Sequence, residues 1–198
     1  MSDPTVNPWT TLSSAVQYED RWLRLRLDEV INPKGLRTQY RVIHYKLRAI
    51  AILPIDAEGC TWLVGQYRYT LNRFSWEPPG GGGPLDETPA ASAARELTEE
   101  TGLSASHWRE VLRLDISNGI ADEVGHGFLA WGLQPGTPAP DDNEALTLRR
   151  LPFREVVEMT LRGEITEAVS VALVLKVHAL VQSGTAPPEV LRALGAGG

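Results

Sequence analysis

The stretch Gly80–Leu103, GGGGPLDETPAASAARELTEETGL, decides how this chain is read. Thr88 is a good N-cap, and Pro89 suits the first helical position, where a missing N–H costs nothing. Ala90, Ala91, Ala93, Ala94 and Leu97 are strong helix formers, and Gly102 fits the position just past a C-terminus. The spacing predicts a helix from Pro89 to Thr101, fed by a glycine-rich loop. At about 100° per residue, Glu96, Glu99 and Glu100 fall within an arc of roughly 100° on one face. Ala90, Ala94, Leu97 and Thr101 lie on the other side and can pack on a sheet. Three acids crowded at this spacing repel one another. A merely solvated face would intersperse lysines, yet the one cation in the run is Arg95. Crowded carboxylates facing a loop point to oxygen ligands for a hard divalent cation.

An exposed acidic helix is the default reading of an isolated run of this kind. The wider spacing overrides it. Gly81, Glu87, Arg95, Glu96, Leu97, Glu99, Glu100, Gly102 and Leu103 reproduce, at the required intervals, every position of the Nudix box. From average residue usage, a chance match anywhere in the chain is on the order of one in ten million. The sequence therefore resembles a Nudix hydrolase, with weaker likeness from about Val30 to Gln182. The resemblance implies an α/β Nudix fold, a mixed sheet sandwiched between helices (α/β/α), here preceded by an N-terminal antiparallel β arm.

It also implies roles. Glu96, Glu99 and Glu100, with the carbonyl of Gly80 just before the first box glycine, match positions that bind metal, expected as Mg2+ with Mn2+ able to substitute. Arg95 matches the arginine that orients a box glutamate, and it joins Glu99, Glu100 and Glu123 in the expected catalytic set. Glu87 matches the first acid of the box; assistance to the metal and a favourable place beside the helix dipole stay open for it. Glu123 lies in the loop Ser117–Glu123, where related pyrophosphatases use a glutamate to contact metal or deprotonate the attacking water. Asp122 is its competitor. Two further stretches, Gly65–Arg68 and Trp76–Gly80, resemble segments of the Nudix enzymes that cleave nucleotide sugars. They make Arg68 and Glu77 candidate substrate contacts, with a strand salt bridge the alternative for Arg68. Arg37 and Arg41 are placed to reach a partner subunit's substrate.

Composition sets the limits on these readings. The chain has 198 residues, enough for one substantial core with an appendage. Its net charge of −6 and the lack of a basic run argue against general nucleic-acid binding. An acidic chain can hold a nucleotide diphosphate if cations mask its carboxylates. A single cysteine, Cys60, permits no internal disulfide and is read as structural in a reducing, cytoplasmic setting. No apolar run reaches the length of a membrane span, and no signal peptide is expected.

Taken in order, residues 1–45 read as an arm ending in a β-hairpin, 46–185 as the catalytic domain and 186–198 as a flexible tail. Alternation over Trp22–Val30 and Gln39–Tyr45, around the turn Asn32–Gly35, predicts the hairpin. Such a hairpin is marginal alone and wants a partner, which makes a homodimer the expectation, with docking of the hairpin on its own domain the rival. Arg48–Ile55 reads as a buried central strand, and Thr61–Tyr69, Trp108–Leu114, Val124–Leu133 and Leu146–Leu151 as further strands. Phe153–Leu161 and Thr166–Gln182 read as helices, with residues 183–198 frayed. His126 lies near the Ser117–Glu123 loop and is read as packing or hydrogen-bonding; the histidines show no ligand spacing.

The reaction implied is metal-dependent hydrolysis of the pyrophosphate bond of a nucleoside diphosphate sugar. The products are a nucleoside monophosphate and a sugar phosphate. ADP-ribose enzymes commonly carry a proline downstream of the box where Asn118 stands, so GDP-mannose or UDP-glucose types stay open. A nucleoside-triphosphate or mRNA-cap-type pyrophosphatase is the alternative within enzymes. A non-catalytic Nudix-fold ligand sensor is the alternative outside them, disfavoured because a binding module has no need of three repelling glutamates.

Overall fold

A computed structural model of the chain describes residues 5–139 and 145–195. The expectations for residues 1–4, for 140–144 within the catalytic domain, and for the last three residues lie outside it. The chain divides into two compact units. One ends at Leu47 and also takes in Asp115–Glu123; the other comprises Arg48–Leu114 and the chain from Val124 onward.

The first unit is an antiparallel sheet of three strands in the order β1-β2-β3: β1 (Thr10–Glu19), β2 (Leu23–Ile31) and β3 (Arg37–Tyr45). The predicted hairpin is β2 and β3, joined at Asn32–Gly35. The Asn32 side chain accepts from the backbone N–H groups of Lys34 and Leu36, and Gly35 takes the positive φ of 78° that closes the turn. β1 pairs along β2 from Thr10↔Ile31 to Glu19↔Arg24, with register shifts near Thr11 and Val16. All ten of its residues are exposed, Leu12, Val16 and Tyr18 among them. Asp115–Glu123, expected as part of the catalytic domain, joins this unit through a parallel bridge between Ile43 and Ala121.

The second unit carries the expected mixed sheet and helices, with its strands divided between two sheets. One has the order β7-β4-β9-β8, built from β4 (Leu47–Pro54), β7 (Gly80–Pro84), β8 (Leu103–Asp115) and β9 (Val124–Pro135). Its centre is the parallel pair β4 and β9, running from Ala49↔Gly125 to Pro54↔Ala130. Strands buried on both faces read as unbroken apolar runs, which is why Arg48–Ile55 shows no alternation. The other sheet has the order β10-β5-β6, with β5 (Cys60–Arg68), β6 (Arg73–Glu77) and β10 (Thr147–Pro152), all antiparallel.

Helix α1 (Pro89–Thr101) matches its predicted bounds. Thr88 caps it by accepting from the Ala91 N–H, and Gly102 ends it in the left-handed region at φ 72°. Its apolar side places Ala93 and Leu97 against Ile50, Ile52, Phe128 and Ala130. Leu97 is fully buried, so truncating it to alanine would cost about 2–5 kcal/mol. Helices α2 (Phe153–Leu161) and α3 (Ala168–Gln182) follow. α3 begins two residues later than predicted, because Glu167 folds back to cap the N–H groups of Val169 and Ser170. The chain after Gln182 differs from the frayed expectation. Pro188–Ala193 forms a short helix, α4, with Ala186 and Val190 buried, so apolar burial holds the segment down.

The glycine run also differs from its reading as a loop. Gly80–Pro84 is strand β7, next to β4, and the Ile52 N–H donates to the Pro79 carbonyl at 2.8 Å. A Cβ at Gly80 would lie 2.1 Å from the Ile50 carbonyl oxygen, so the close approach of these backbones excludes any side chain there.

Candidate active site

Within the larger unit, β7 and α1 bring the glycines and acids of the box together. The Gly80 N–H donates to Glu100 Oε2 at 2.7 Å, and Glu100 is buried. A Cβ on Gly81 would lie 2.6 to 2.9 Å from the carboxylate atoms of Glu96. Glycine at this position lets that carboxylate rest against the strand. Arg95 binds the remaining acids. Its Nη1 donates to Glu96 and to Glu99, at 2.8 Å each, and its Nη2 donates to the Gly82 carbonyl at 3.2 Å. Glu87 stands 3.7 Å from the same guanidinium and accepts from the buried Ser92 hydroxyl at 2.6 Å. Burial opposes the charge of Arg95, but Glu96 and Glu99 outweigh it and hold its pKa above the ordinary value.

Among the described residues, no three His, Cys, Asp or Glu side chains converge as a ready-made metal cage. Glu96 and Glu99 are instead both bonded to Arg95 Nη1. The donor chemistry nevertheless fits a divalent cation. Glu96, Glu99 and Glu100 are hard anionic oxygens, and the bare backbone at Gly81 leaves a cradle beside Glu96 that a side chain would fill.

Arg68 and Glu77, singled out separately from the sequence, are partners. Arg68 Nε donates to Glu77 Oε1 at 3.1 Å and its Nη2 to Oε2, a two-pronged pair. The salt-bridge alternative therefore describes both residues. The hydrogen bond to Glu77 raises the Arg68 pKa, and the charges of Glu100 and Glu167 add to it. Glu77 is buried, while the Arg68 side chain keeps 38% of its surface exposed, leaving part of the guanidinium open to a ligand. His126 is buried and bonded through Nδ1 to Glu110 at 2.8 Å, in keeping with a packing role.

The smaller unit holds the other candidates. Arg41 is exposed on β3, opposite Leu27 on β2, and Arg37 lies 3.5 Å from Glu29. Glu123 ends the Asp115–Glu123 segment, where its carbonyl accepts from the Ile116 N–H at 3.1 Å. Asp122 has both carboxylate oxygens engaged, one with His44 Nδ1 at 2.5 Å and one with the Tyr45 N–H at 3.0 Å. That occupation counts against Asp122 as a base.

One group at the site escaped the sequence reading. Arg48, at the start of β4, donates to the carbonyls of Pro84, Leu85 and Glu87 at 2.8 to 3.0 Å, clamping the turn between β7 and α1. An arginine opening an apolar strand was its only local signal. A cleft of about 660 Å³ lined by Ile55, His107, Trp131 and Val190 contains none of the candidate residues.

Comparison with known proteins identifies the family. Residues 45–172 match the NUDIX domain, and residues 9–43 match the nucleoside diphosphate sugar hydrolase N-terminal domain. The chain is 40% identical over 187 residues to an ADP-ribose pyrophosphatase of Mycobacterium tuberculosis, covering 91% of this chain and 88% of that one. It is 32% identical over 136 residues to a GDP-mannose pyrophosphatase of Klebsiella pneumoniae, covering 67% and 66%. A crystal structure of an ADP compounds hydrolase superposes with a TM-score of 0.81 at 20% identity, covering 92% of this chain and all of that one, a likeness of fold.

Proposed function

The chain belongs to the Nudix hydrolase family, and from that premise we propose that it hydrolyses the pyrophosphate bond of a nucleoside diphosphate sugar. The products are a nucleoside monophosphate and a sugar phosphate. The observation that carries this reading is the box itself, with Glu96 seated against the bare backbone of Gly81 and Glu100 bonded to the Gly80 N–H. The match of residues 9–43 narrows the substrate to sugars linked to nucleoside diphosphates, and the 40% identical relative favours ADP-ribose over GDP-mannose.

We assign Glu96, Glu99, Glu100 and the Gly80 carbonyl to a divalent cation, Mg2+ with Mn2+ as substitute. Such a cation polarises phosphoryl oxygens and lowers the pKa of bound water. Arg95 holds Glu96 and Glu99 in register, and these two carboxylates would hold the cation. Glu123 takes the proton from the attacking water. Arg68 is held by Glu77 and presents its open edge to a phosphate oxygen, with fork geometry suited to that partner. Arg41 is assigned to the substrate of a second subunit.

That second subunit is the natural partner for β1, an edge strand exposed along its whole length with Leu12, Val16 and Tyr18 in the open. A homodimer built on the N-terminal sheet buries this surface. Among the described residues no helix is long and apolar enough to cross a membrane. The lone thiol of Cys60 suits a reducing compartment, and we place the enzyme in the cytoplasm.

The deciding experiment is monophosphate formation from a panel of ADP-ribose, GDP-mannose, UDP-glucose and nucleoside triphosphates, with and without Mg2+. Turnover of ADP-ribose only in the presence of the cation is expected. Turnover of triphosphates alone would move the chain to the other branch of the family, and ligand binding without hydrolysis would make it a sensor.

A further inference from the structure

The segment Asp115–Glu123 is a closed loop in its own right. The Ile116 N–H reaches the Glu123 carbonyl at 3.1 Å and joins its two ends. Inside, the Ser117 carbonyl accepts from the N–H groups of Ile120 at 2.9 Å and Ala121 at 2.8 Å. These bonds fix its shape but not its place.

Its place is set by β3. Two backbone bonds form a short parallel bridge: the Ile43 N–H donates to the Ile120 carbonyl at 2.8 Å, and the Asp122 N–H to the Ile43 carbonyl at 3.1 Å. Any sequence can make those. Three contacts need particular side chains. The Tyr40 hydroxyl donates to the Gly119 carbonyl at 2.7 Å. His44 Nδ1 meets Asp122 Oδ2 at 2.5 Å, and Asp122 Oδ1 accepts from the Tyr45 N–H at 3.0 Å. Tyr40 and His44 stand four residues apart on one strand, so they point to the same side of the sheet. Together they grip the tip and the exit of the loop. Glu123 therefore has its backbone pinned on both sides: Asp122 before it is fastened to β3, and its own carbonyl is fastened to Ile116.

We propose that Asp122, held by His44 and supported by Tyr40, is a positioning residue that sets the place of Glu123 for the reaction. This rests on the reading of Glu123 as the group that acts on the attacking water. A base must stand within hydrogen-bond reach of the proton it removes. A misplacement of about 1 Å costs roughly a hundred-fold in rate. The strap fastens the neighbour of Glu123 to an element far away in the chain, since His44 and Asp122 are 78 positions apart. It also assigns work to the N-terminal sheet beyond any role between subunits.

The test is a double-mutant cycle on the full chain, reading kcat and KM for ADP-ribose at saturating Mg2+. His44→Ala and Asp122→Ala are expected to lower kcat roughly ten- to a hundred-fold with KM changed less than about two-fold. Asp122→Asn keeps an acceptor for the Tyr45 N–H and is expected to recover part of the loss. In a Glu123→Gln background, His44→Ala is expected to have no further effect, because the group it positions is already disabled. Thermal unfolding of each variant checks folding; if His44→Ala fails to fold, Tyr40→Phe and Asp122→Asn carry the comparison. A Glu123→Gln enzyme of undiminished kcat would overturn the reading of Glu123, and the strap with it. A crippled Glu123→Gln beside a normal His44→Ala, or losses that simply multiply, would overturn the strap alone.

Discussion

The backbone N–H of Gly80 and the carboxylate of Glu100 are joined at 2.7 Å, linking the first glycine of β7 to the last turn of α1. This bond holds one oxygen of a buried acid that we assign to the cation. Glu100→Gln keeps an oxygen that can accept from Gly80, so folding is preserved. Its charge is lost, and several kcal/mol of charge stabilisation correspond to a roughly hundred-fold or greater fall in kcat. Near wild-type turnover at saturating Mg2+ would remove Glu100 from the metal site.

Gly81→Ala tests the cradle. The new methyl would meet the Glu96 carboxylate at 2.6 to 2.9 Å. That contact is the far end of a flexible side chain, so the fold yields cheaply while the carboxylate swings aside. The expected result is an unchanged melting temperature and a marked rise in the Mg2+ concentration needed for half-maximal rate. An unchanged Mg2+ dependence would show that the position of Glu96 is not set by Gly81.

Glu19 offers a pH test in the N-terminal sheet. Hydrogen bonds from Arg24 and from Lys46 pull its pKa down to about 2 from an ordinary 4.5. A depressed carboxylate stabilises the fold at pH above its ordinary value and loses that contribution as pH falls through about 2. NMR titration is expected to show Glu19 still ionised at pH 3 and to move it upward in Arg24→Gln. A Glu19 titrating near 4.5 in the unmodified chain would mean that these partners do not hold it in solution.

Cys60 lies at the start of β5, and burial pushes its thiol pKa up, with nearby Arg150 opposing. Thiolate is the reactive form. Modification by a disulfide reagent at neutral pH should be slow, and Cys60→Ser should keep full activity. Rapid labelling accompanied by loss of turnover would contradict a structural role.

The oligomeric state is best probed on β1 rather than by removing the arm. Deleting residues 1–45 would also remove β3, which holds the Asp115–Glu123 loop. Val16→Asp changes only an exposed side chain on the edge strand. Light scattering is expected to show a dimer for the parent chain and a monomer for Val16→Asp. A parent monomer at micromolar concentration with full activity would end the dimer proposal.

Local chemistry made much of the molecule readable in advance. The bounds of α1 follow from Thr88, Pro89 and Gly102, each acting on backbone within a turn of itself, and α2 was found with equal accuracy. The crowding of Glu96, Glu99 and Glu100 on one face follows from helical geometry alone. That Glu123 ends a loop entering a strand was also legible, because Val124–Leu133 reads as a strand directly after it.

Other features were decided by pairing between segments far apart in the chain, which leaves no local trace. Gly80–Pro84 became a strand beside β4, whose Ile50 carbonyl comes so close to Gly80 that no side chain fits there. Arg68 and Glu77 turned from two candidates into one pair because β5 and β6 are adjacent in the sheet. Arg48 found its three carbonyls about forty residues downstream. Asp122 was a rival base until His44 and the Tyr45 N–H took both its oxygens. Sequence fixes what a residue can donate or accept, but the partner that claims it is chosen by the strand order, and strand order is a property of the fold as a whole.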